Sequence, residues 1–296
     1  MKPSLRWCAT SGVKVSLTAA VILLCSNTRP LPLRLSAAAL RRHAPIRIHR
    51  QRDLQSWESS NWSGYAVTGA NGSVTSVTNS WIVPVVNCSI APEGYSSFWV
   101  GIDGFSSSTV EQIGTDSDCV SLNGTETGIP TYYAWFEFYP QNAYLVEFPR
   151  AVQPGDVITA SVKASGNGGG RLGGHRFTVT LTDVTRDETF STTSSVSGAK
   201  QSSAEWIAET PCCESSGSVL PLADFGTVNY GADFTSAANT AYATVGNTTA
   251  PIGKFGANVQ EITMVTDTTP SATMAQPSGL SKDGTSFSVA WANAGP

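Results

Sequence analysis

The sequence predicts an all-β protein, a two-sheet antiparallel β-sandwich, and three observations carry that expectation. From Trp57 onward the chain is rich in Thr, Ser, Val, Gly and aromatic residues and poor in Lys and Glu, which suits pleated, half-buried surfaces. Period-two alternation bounded by Gly, Pro and Asp marks strands at Asp156-Val-Ile-Thr-Ala-Ser-Val-Lys, Phe177-Thr-Val-Thr-Leu-Thr and Ser286-Phe-Ser-Val-Ala-Trp. No long stretch shows helical periodicity, and no segment repeats. Two packed antiparallel sheets are the architecture that such strands fill.

In chain order, residues 1–28 read as a signal peptide. Lys2, Arg6 and Lys14 precede an apolar run from Val15 to Cys25 that is too short to span a bilayer as a mature helix. Residues 29–56, Arg-rich with little apolar periodicity, read as a basic propeptide or linker. Residues 57–296 are then one sandwich domain, and the mature protein is expected to be secreted, without a membrane anchor and monomeric. Within it the Gly-rich stretch 166–174 reads as a hairpin loop. It lacks the Lys-Ser/Thr ending and the following helix of a phosphate cradle. Residues 267–280, with two prolines, read as a connector to a last strand at 286–291.

Charge is unevenly placed. Ten of the eighteen Lys and Arg lie in residues 1–56 against a single acid, Asp53, so residues 57–296 hold 8 basic and 21 acidic residues, a formal charge of −13. Such a body repels nucleic acid and anionic lipid, which excludes both as partners. Cysteine usage fits an oxidising compartment. Outside the leader the chain has Cys88, Cys119, Cys212 and Cys213, which allow three pairings. A Cys88–Cys119 disulfide is expected, because the adjacent Cys212 and Cys213 can pair with each other only through a strained ring.

Elimination narrows the chemistry. Of three histidines, His43 and His49 belong to the leader, leaving His175. There is no G-x-S-x-G elbow, no H-E-x-x-H, no Cys/His metal cluster and no Asp-Thr-Gly or Asp-Ser-Gly. Carboxylates, carboxamides and aromatics remain. They concentrate in Asn61-Trp-Ser-Gly, Phe98-Trp-Val-Gly-Ile-Asp-Gly with Val110-Glu-Gln-Ile-Gly-Thr-Asp, Tyr133-Ala-Trp-Phe-Glu-Phe-Tyr-Pro and Ser203-Ala-Glu-Trp-Ile-Ala-Glu. Read as strands, these put Trp99, Gly101 and Asp103 on one face, and Trp135, Glu137 and Tyr139 on another. By residue type alone, each such Glu is more often a solvent-face residue and each Trp more often core. A carbohydrate-active or carbohydrate-binding sandwich, with Glu137 and Glu205 as acid and nucleophile, stays open at this point, as does a non-catalytic binding module.

Taken in order, the strings N-W-S-G at 61–64, W-V-G-I-D-G at 99–104, Q-x-G-x-D at 112–116, A-W-x-E-x-Y-P at 134–140, A-E-W-I-x-E at 204–209 and Leu222-Ala-Asp-Phe-Gly-Thr-Val resemble the glutamic peptidases, or eqolisins. The resemblance runs from about Ser60 to the C-terminus. It implies a concanavalin-like jelly-roll sandwich and an endopeptidase active in acid, with protein or peptide substrates and no metal or cofactor. It also implies a catalytic Glu/Gln dyad at Glu205 and Gln112. Glu205 would take a proton from the attacking water and return it to the leaving amine, while Gln112 would orient the water and bind the oxyanion. Trp62, Trp99 and Trp135 would line the substrate groove, with Asp103, Glu137 and Tyr139 in support. Phe105 and the Cys212-Cys213 pair depart from the family's fungal pattern. The basic segment 29–56 is expected to dock on the acidic body as an inhibitor near neutral pH and to leave in acid.

Overall fold

The structure, a computed structural model of the chain, describes residues 41–121, 128–165, 175–212 and 219–295. The expected signal segment, residues 29–40, the Gly-rich loop 166–174 and Cys213 lie outside them.

Among the described residues, alternating side chains produce eighteen strands. These are β1 (Ile48–Gln51), β2 (Ser56–Ser59), β3 (Trp62–Thr68), β4 (Val74–Ile82), β5 (Ser97–Ile102), β6 (Val110–Val120), β7 (Ile129–Tyr139), β8 (Tyr144–Val146) and β9 (Val157–Ser165). They continue as β10 (His175–Asp183), β11 (Glu188–Val196), β12 (Ser203–Glu209), β13 (Thr227–Gly231), β14 (Tyr242–Val245), β15 (Thr248–Pro251), β16 (Val259–Val265), β17 (Thr273–Pro277) and β18 (Ser286–Trp291). The α-helix, α1 (Ala232–Thr235), is a single turn.

Two layers emerge from the pairing. One runs β8-β7-β6-β5-β12-β3-β16 and continues to β2 through a parallel ladder, then to β1. The other runs β11-β10-β9-β4-β14-β15, with β13, β18 and β17 beside β4. The β16–β17 ladder joins the layers. Between them lies the core, where Val100, Ile113, Trp206 and Phe98 of the first layer meet Trp81, Val162, Val179 and Tyr230 of the second. Polar tips tie the layers where they bury: Trp81 Nε1 donates to Thr115 Oγ1 at 2.9 Å, and Tyr230 Oη donates to the Ile207 carbonyl at 2.9 Å. Satisfying these groups keeps the large rings from carrying an unpaired N–H or O–H into the core.

On the outer face of β10 and β11 the alternation leaves hydroxyls instead of apolar groups. Thr178 and Thr193, Thr180 and Ser191, and Thr182 and Thr189 link across the strands at 2.9 Å each.

The expected sandwich is therefore present, and the last strand matches its expected bounds. The connector at 267–280 differs, because Thr273–Pro277 forms β17 between β16 and β18. Its prolines lie before and at the end of that strand, where no ladder N–H is lost. His175 opens β10 opposite Val196. Cys88 and Cys119 form the expected disulfide, and Cys212 is buried. Residues 41–56 are packed on the body: β1 and β2 form a hairpin, and β2 lies along β16.

Candidate active site

The face of the first layer that looks away from the core carries the motif residues. Antiparallel register aligns Glu205 with Gly101, Gly101 with Gln112, and Gln112 with Glu137. One row on, Trp99, Gly114 and Trp135 align, and a further row holds Trp62, Glu209, Ser97, Asp116 and Tyr133. Opposite residues in an antiparallel ladder share a face, so five motif strings from five strands converge there. Gly114 is required for this: a Cβ on it would lie 2.4 Å from the Phe98 carbonyl oxygen and 2.6 Å from Trp99 Cβ. Without a side chain there, Trp99 and Trp135 can flank the middle row.

Residues 42–47 cross this face. The His43 ring stacks on Trp135 with centroids 3.5 Å apart and planes 3° apart, and its residue is fully buried. Gln112 Nε2 donates to the His43 carbonyl at 2.6 Å and to Glu137 Oε2 at 3.3 Å. The His43 amide donates to Glu137 Oε2 at 2.9 Å. Glu209 Oε2 accepts Trp99 Nε1–H at 2.7 Å and stands 3.5 Å from His43 Nδ1. Asn61 holds the next residues: its Nδ2 donates to the Pro45 carbonyl at 3.2 Å, and its Oδ1 accepts the Arg47 amide at 2.7 Å. Trp62 meets Trp99 edge-on at 4.9 Å. Tyr139 lies under the Arg42 guanidinium at 4.9 Å, and Arg42 also donates to the Pro140 carbonyl.

The electrostatics are those of acids withdrawn from water. Burial pushes Glu137 up to about 8, against lowering by the His43 amide and Arg42. Burial also raises Glu209 well above the carboxyl range; the Trp99 bond lowers it, and the Glu137 and Asp116 charges raise it. Asp116, which accepts Trp135 Nε1–H and the Tyr133 hydroxyl, is raised by burial to about 7. Asp118, also on Tyr133, is raised well above normal by burial and then by Asp116. Burial lowers His43 well below its ordinary value. Desolvation outweighs pairing throughout, so these groups share protons rather than charge.

The structure brings Gln112, Glu137, Trp62, Trp99, Trp135 and Tyr139 together. Asp103 lies just past β5, and Glu205 shares the middle row with Gln112 across Gly101 without a hydrogen bond to it. Asp103, in left-handed backbone at φ 72°, accepts the amides of Lys200, Gln201 and Ser202 at 2.7, 2.7 and 2.9 Å, and so anchors the turn that leads into β12. Glu205 is fully buried, and no hydrogen bond of good geometry reaches either of its carboxyl oxygens. Burial raises it well above normal; Ser203 lowers it, the charges of Asp103 and Glu111 raise it, and the Phe105 backbone lowers it. Glu205 and Gln112 thus stand two strands apart, and no hydrogen bond joins them among the described residues. The carboxyls that meet the segment on Gln112 are Glu137, on the His43 amide, and Glu209, four residues beyond Glu205 in the same string, against the His43 ring. Sequence reasoning also passed over His43, Asn61 and Asp116. Asn61 and Asp116 lie in the quoted strings, whereas His43 was assigned to the leader.

Comparison with known proteins shows the family and the fold. The family model described as "Peptidase A4 family" matches residues 60–281. Aspergillopepsin-2 of Aspergillus niger is 32% identical over 206 residues, which cover 62% of this chain and 66% of that protein, just under two thirds of its length. A crystal structure of Scytalido-glutamic peptidase with a peptide based transition state analog superposes with a TM-score of 0.59 at 23% identity, over 79% of this chain and 98% of that one. SCP-B, a member of the Eqolisin family of Peptidases in a complex with a tripeptide Ala-Ile-His, superposes with a TM-score of 0.57 at 22% identity, over 79% and 98%. These two likenesses show a common fold.

Proposed function

The chain belongs to the peptidase A4 family, and from that premise we propose that it is a secreted endopeptidase that hydrolyses peptide bonds in acid with a carboxyl–carboxamide dyad. One observation carries the reading: Gln112 Nε2 donates at 2.6 Å to a backbone carbonyl, that of His43, on a peptide crossing the groove. A carboxyl stands on each side of that peptide, Glu137 on its amide and Glu209 near its ring.

Gln112 and Glu209 form the proposed dyad, with Glu209 in the role expected of Glu205. Ionised Glu209 removes a proton from water as the water oxygen bonds to the carbonyl carbon. The carbonyl electron pair moves to oxygen, where the Gln112 amide N–H stabilises it. The protonated Glu209 then gives its proton to the departing nitrogen as the C–N bond breaks, and a carboxylic acid and an amine leave. Seating of residues 42–47 buries Glu209 and raises its proton affinity; once they leave, water and the Trp99 N–H both favour the ionised form that the first step needs. Gln112 suits its task because a carboxamide holds one protonation state across the acid range. Secretion is supported by the leader's charge and hydropathy pattern and by the Cys88–Cys119 disulfide.

The basic segment is proposed to inhibit the enzyme while attached. Arg42 Nε lies 3.8 Å from Glu137, and Arg50 Nε lies 2.7 Å from Glu58. Casein digestion in acid, after removal of the basic segment, tests the dyad. Glu209→Gln should lose about 10³-fold or more, and Gln112→Ala about 10²–10³-fold. Retained activity in Glu209→Gln with loss in Glu205→Gln would return the role to Glu205. No digestion by the wild type would favour a binding protein.

A further inference from the structure

We infer that residues 42–47 lie in the groove as a bound substrate would, and that the His43 ring, rather than the arginines, is the lock that keeps the attached chain inactive. This rests on the reading of the groove as a peptide-hydrolysing site.

Most of the contacts to this segment are ones that any extended peptide offers. The groove takes the His43 amide on Glu137, the His43 carbonyl on Gln112, the Pro45 carbonyl and Arg47 amide on Asn61, and the Ile46 amide on the Gly104 carbonyl at 3.1 Å. None of these reads a side chain. The peptide bond presented to Gln112 is therefore His43–Ala44, and Gln112 is taken up by its carbonyl while Glu137 is taken up by the amide of the preceding bond, Arg42–His43. What distinguishes this segment is its one fully buried side chain. The His43 ring covers Trp135 and closes on Glu209, leaving Gln112, Glu137 and Glu209 without solvent exposure.

The arginines contribute differently. Arg50 and Arg52 reach Glu58 with side chains 62% and 54% exposed, away from the groove, and Arg42 is 28% exposed. Exposed ion pairs contribute little and are screened by salt, whereas a buried stacked ring keeps its packing at any ionic strength. A segment held by charge would be released by salt or by removing Arg50 and Arg52. A segment held by His43 would not.

The full chain and its His43→Ala, His43→Phe and Arg50→Ala/Arg52→Ala variants test this through trypsin cleavage at neutral pH, followed by mass spectrometry. His43→Ala should be cut after Arg42 and Arg47 about tenfold faster than wild type, because local opening governs the rate. Cleavage after Arg150, in the body, should not change. His43→Phe, which keeps a flat ring on Trp135, should return to the wild-type rate, and the double arginine variant should stay close to it. In acid, His43→Ala should digest casein without the delay expected of the wild type. Equal cleavage of wild type and His43→Ala, or opening by the arginine variant alone, overturns the lock. An open His43→Ala segment with an unchanged delay does so too. If His43→Ala opens as expected but no form digests casein, the seated segment stands and the peptidase reading falls.

Discussion

Asp103 shows how a motif residue can be essential to a site without entering it. Its carboxylate accepts three consecutive backbone amides and the Ser202 hydroxyl. Asp103→Ala should cost about 2–4 kcal/mol in urea denaturation, since it strands buried donors as well as losing their bonds. A change below about 1 kcal/mol would mean that the turn is held by something else. At this scale the sequence was readable by residue type and less so by role. Gln112 and the three tryptophans are where their strings place them. Glu205 and Glu209 share a face by the same two-residue period, and nothing local separates them. What separates them is which one meets Trp99 and the segment from residue 42, a long-range contact that no string contains. His43 was unreadable for the same reason: a lone histidine in a basic leader has no local pattern pointing into a groove.

Among the elements, β5, β6 and β7 depend on Gly114 to hold two tryptophans side by side in one row. Gly114→Ala would press its new methyl against the Phe98 carbonyl and Trp99 Cβ. It should destabilise the protein by about 2–3 kcal/mol and shift Trp99 away from Glu209, so that acid digestion falls while the fold persists. An unchanged thermal midpoint together with full activity would contradict this account of the row. The strands were legible wherever one face is buried and alternation is strict, as in β9, β10 and β18. β17 was not, because its five residues are mostly buried and flanked by Pro and Thr, which locally resemble a connector. The hairpin of β1 and β2 escaped for another reason. β1 exposes all four of its residues and exists only through its partner.

At the scale of the molecule, buried carboxyls set the response to pH. Glu137, Asp116, Asp118, Glu111, Glu205 and Glu209 all hold protons more tightly in the fold than an unfolded chain does. Where the folded state binds more protons, stability falls as pH rises. Their contribution is complete below the ordinary carboxyl values and is lost as pH passes about 7 for Asp116 and about 8 for Glu137. His43 opposes this, since its lowered value favours the fold above its ordinary range, but it stands against these six and Asp183, which burial also raises; Asp53, Glu188 and Asp283, which are lowered, act below pH ~4. The denaturation midpoint should therefore fall from pH ~4 to pH ~8, and Glu137→Gln should flatten that slope. A midpoint that rises over this interval would refute the account. The hydroxyl rows on β10 and β11 stand apart from all of it. Thr178, Thr180 and Thr182 with Thr193, Ser191 and Thr189 carry no group that ionises in this range, so the linkage at the centre of that outer hairpin stays the same whatever the acidity. The molecule thus pairs a proton-responsive face with a chemically indifferent one, and a change of medium is felt on the side that carries the groove.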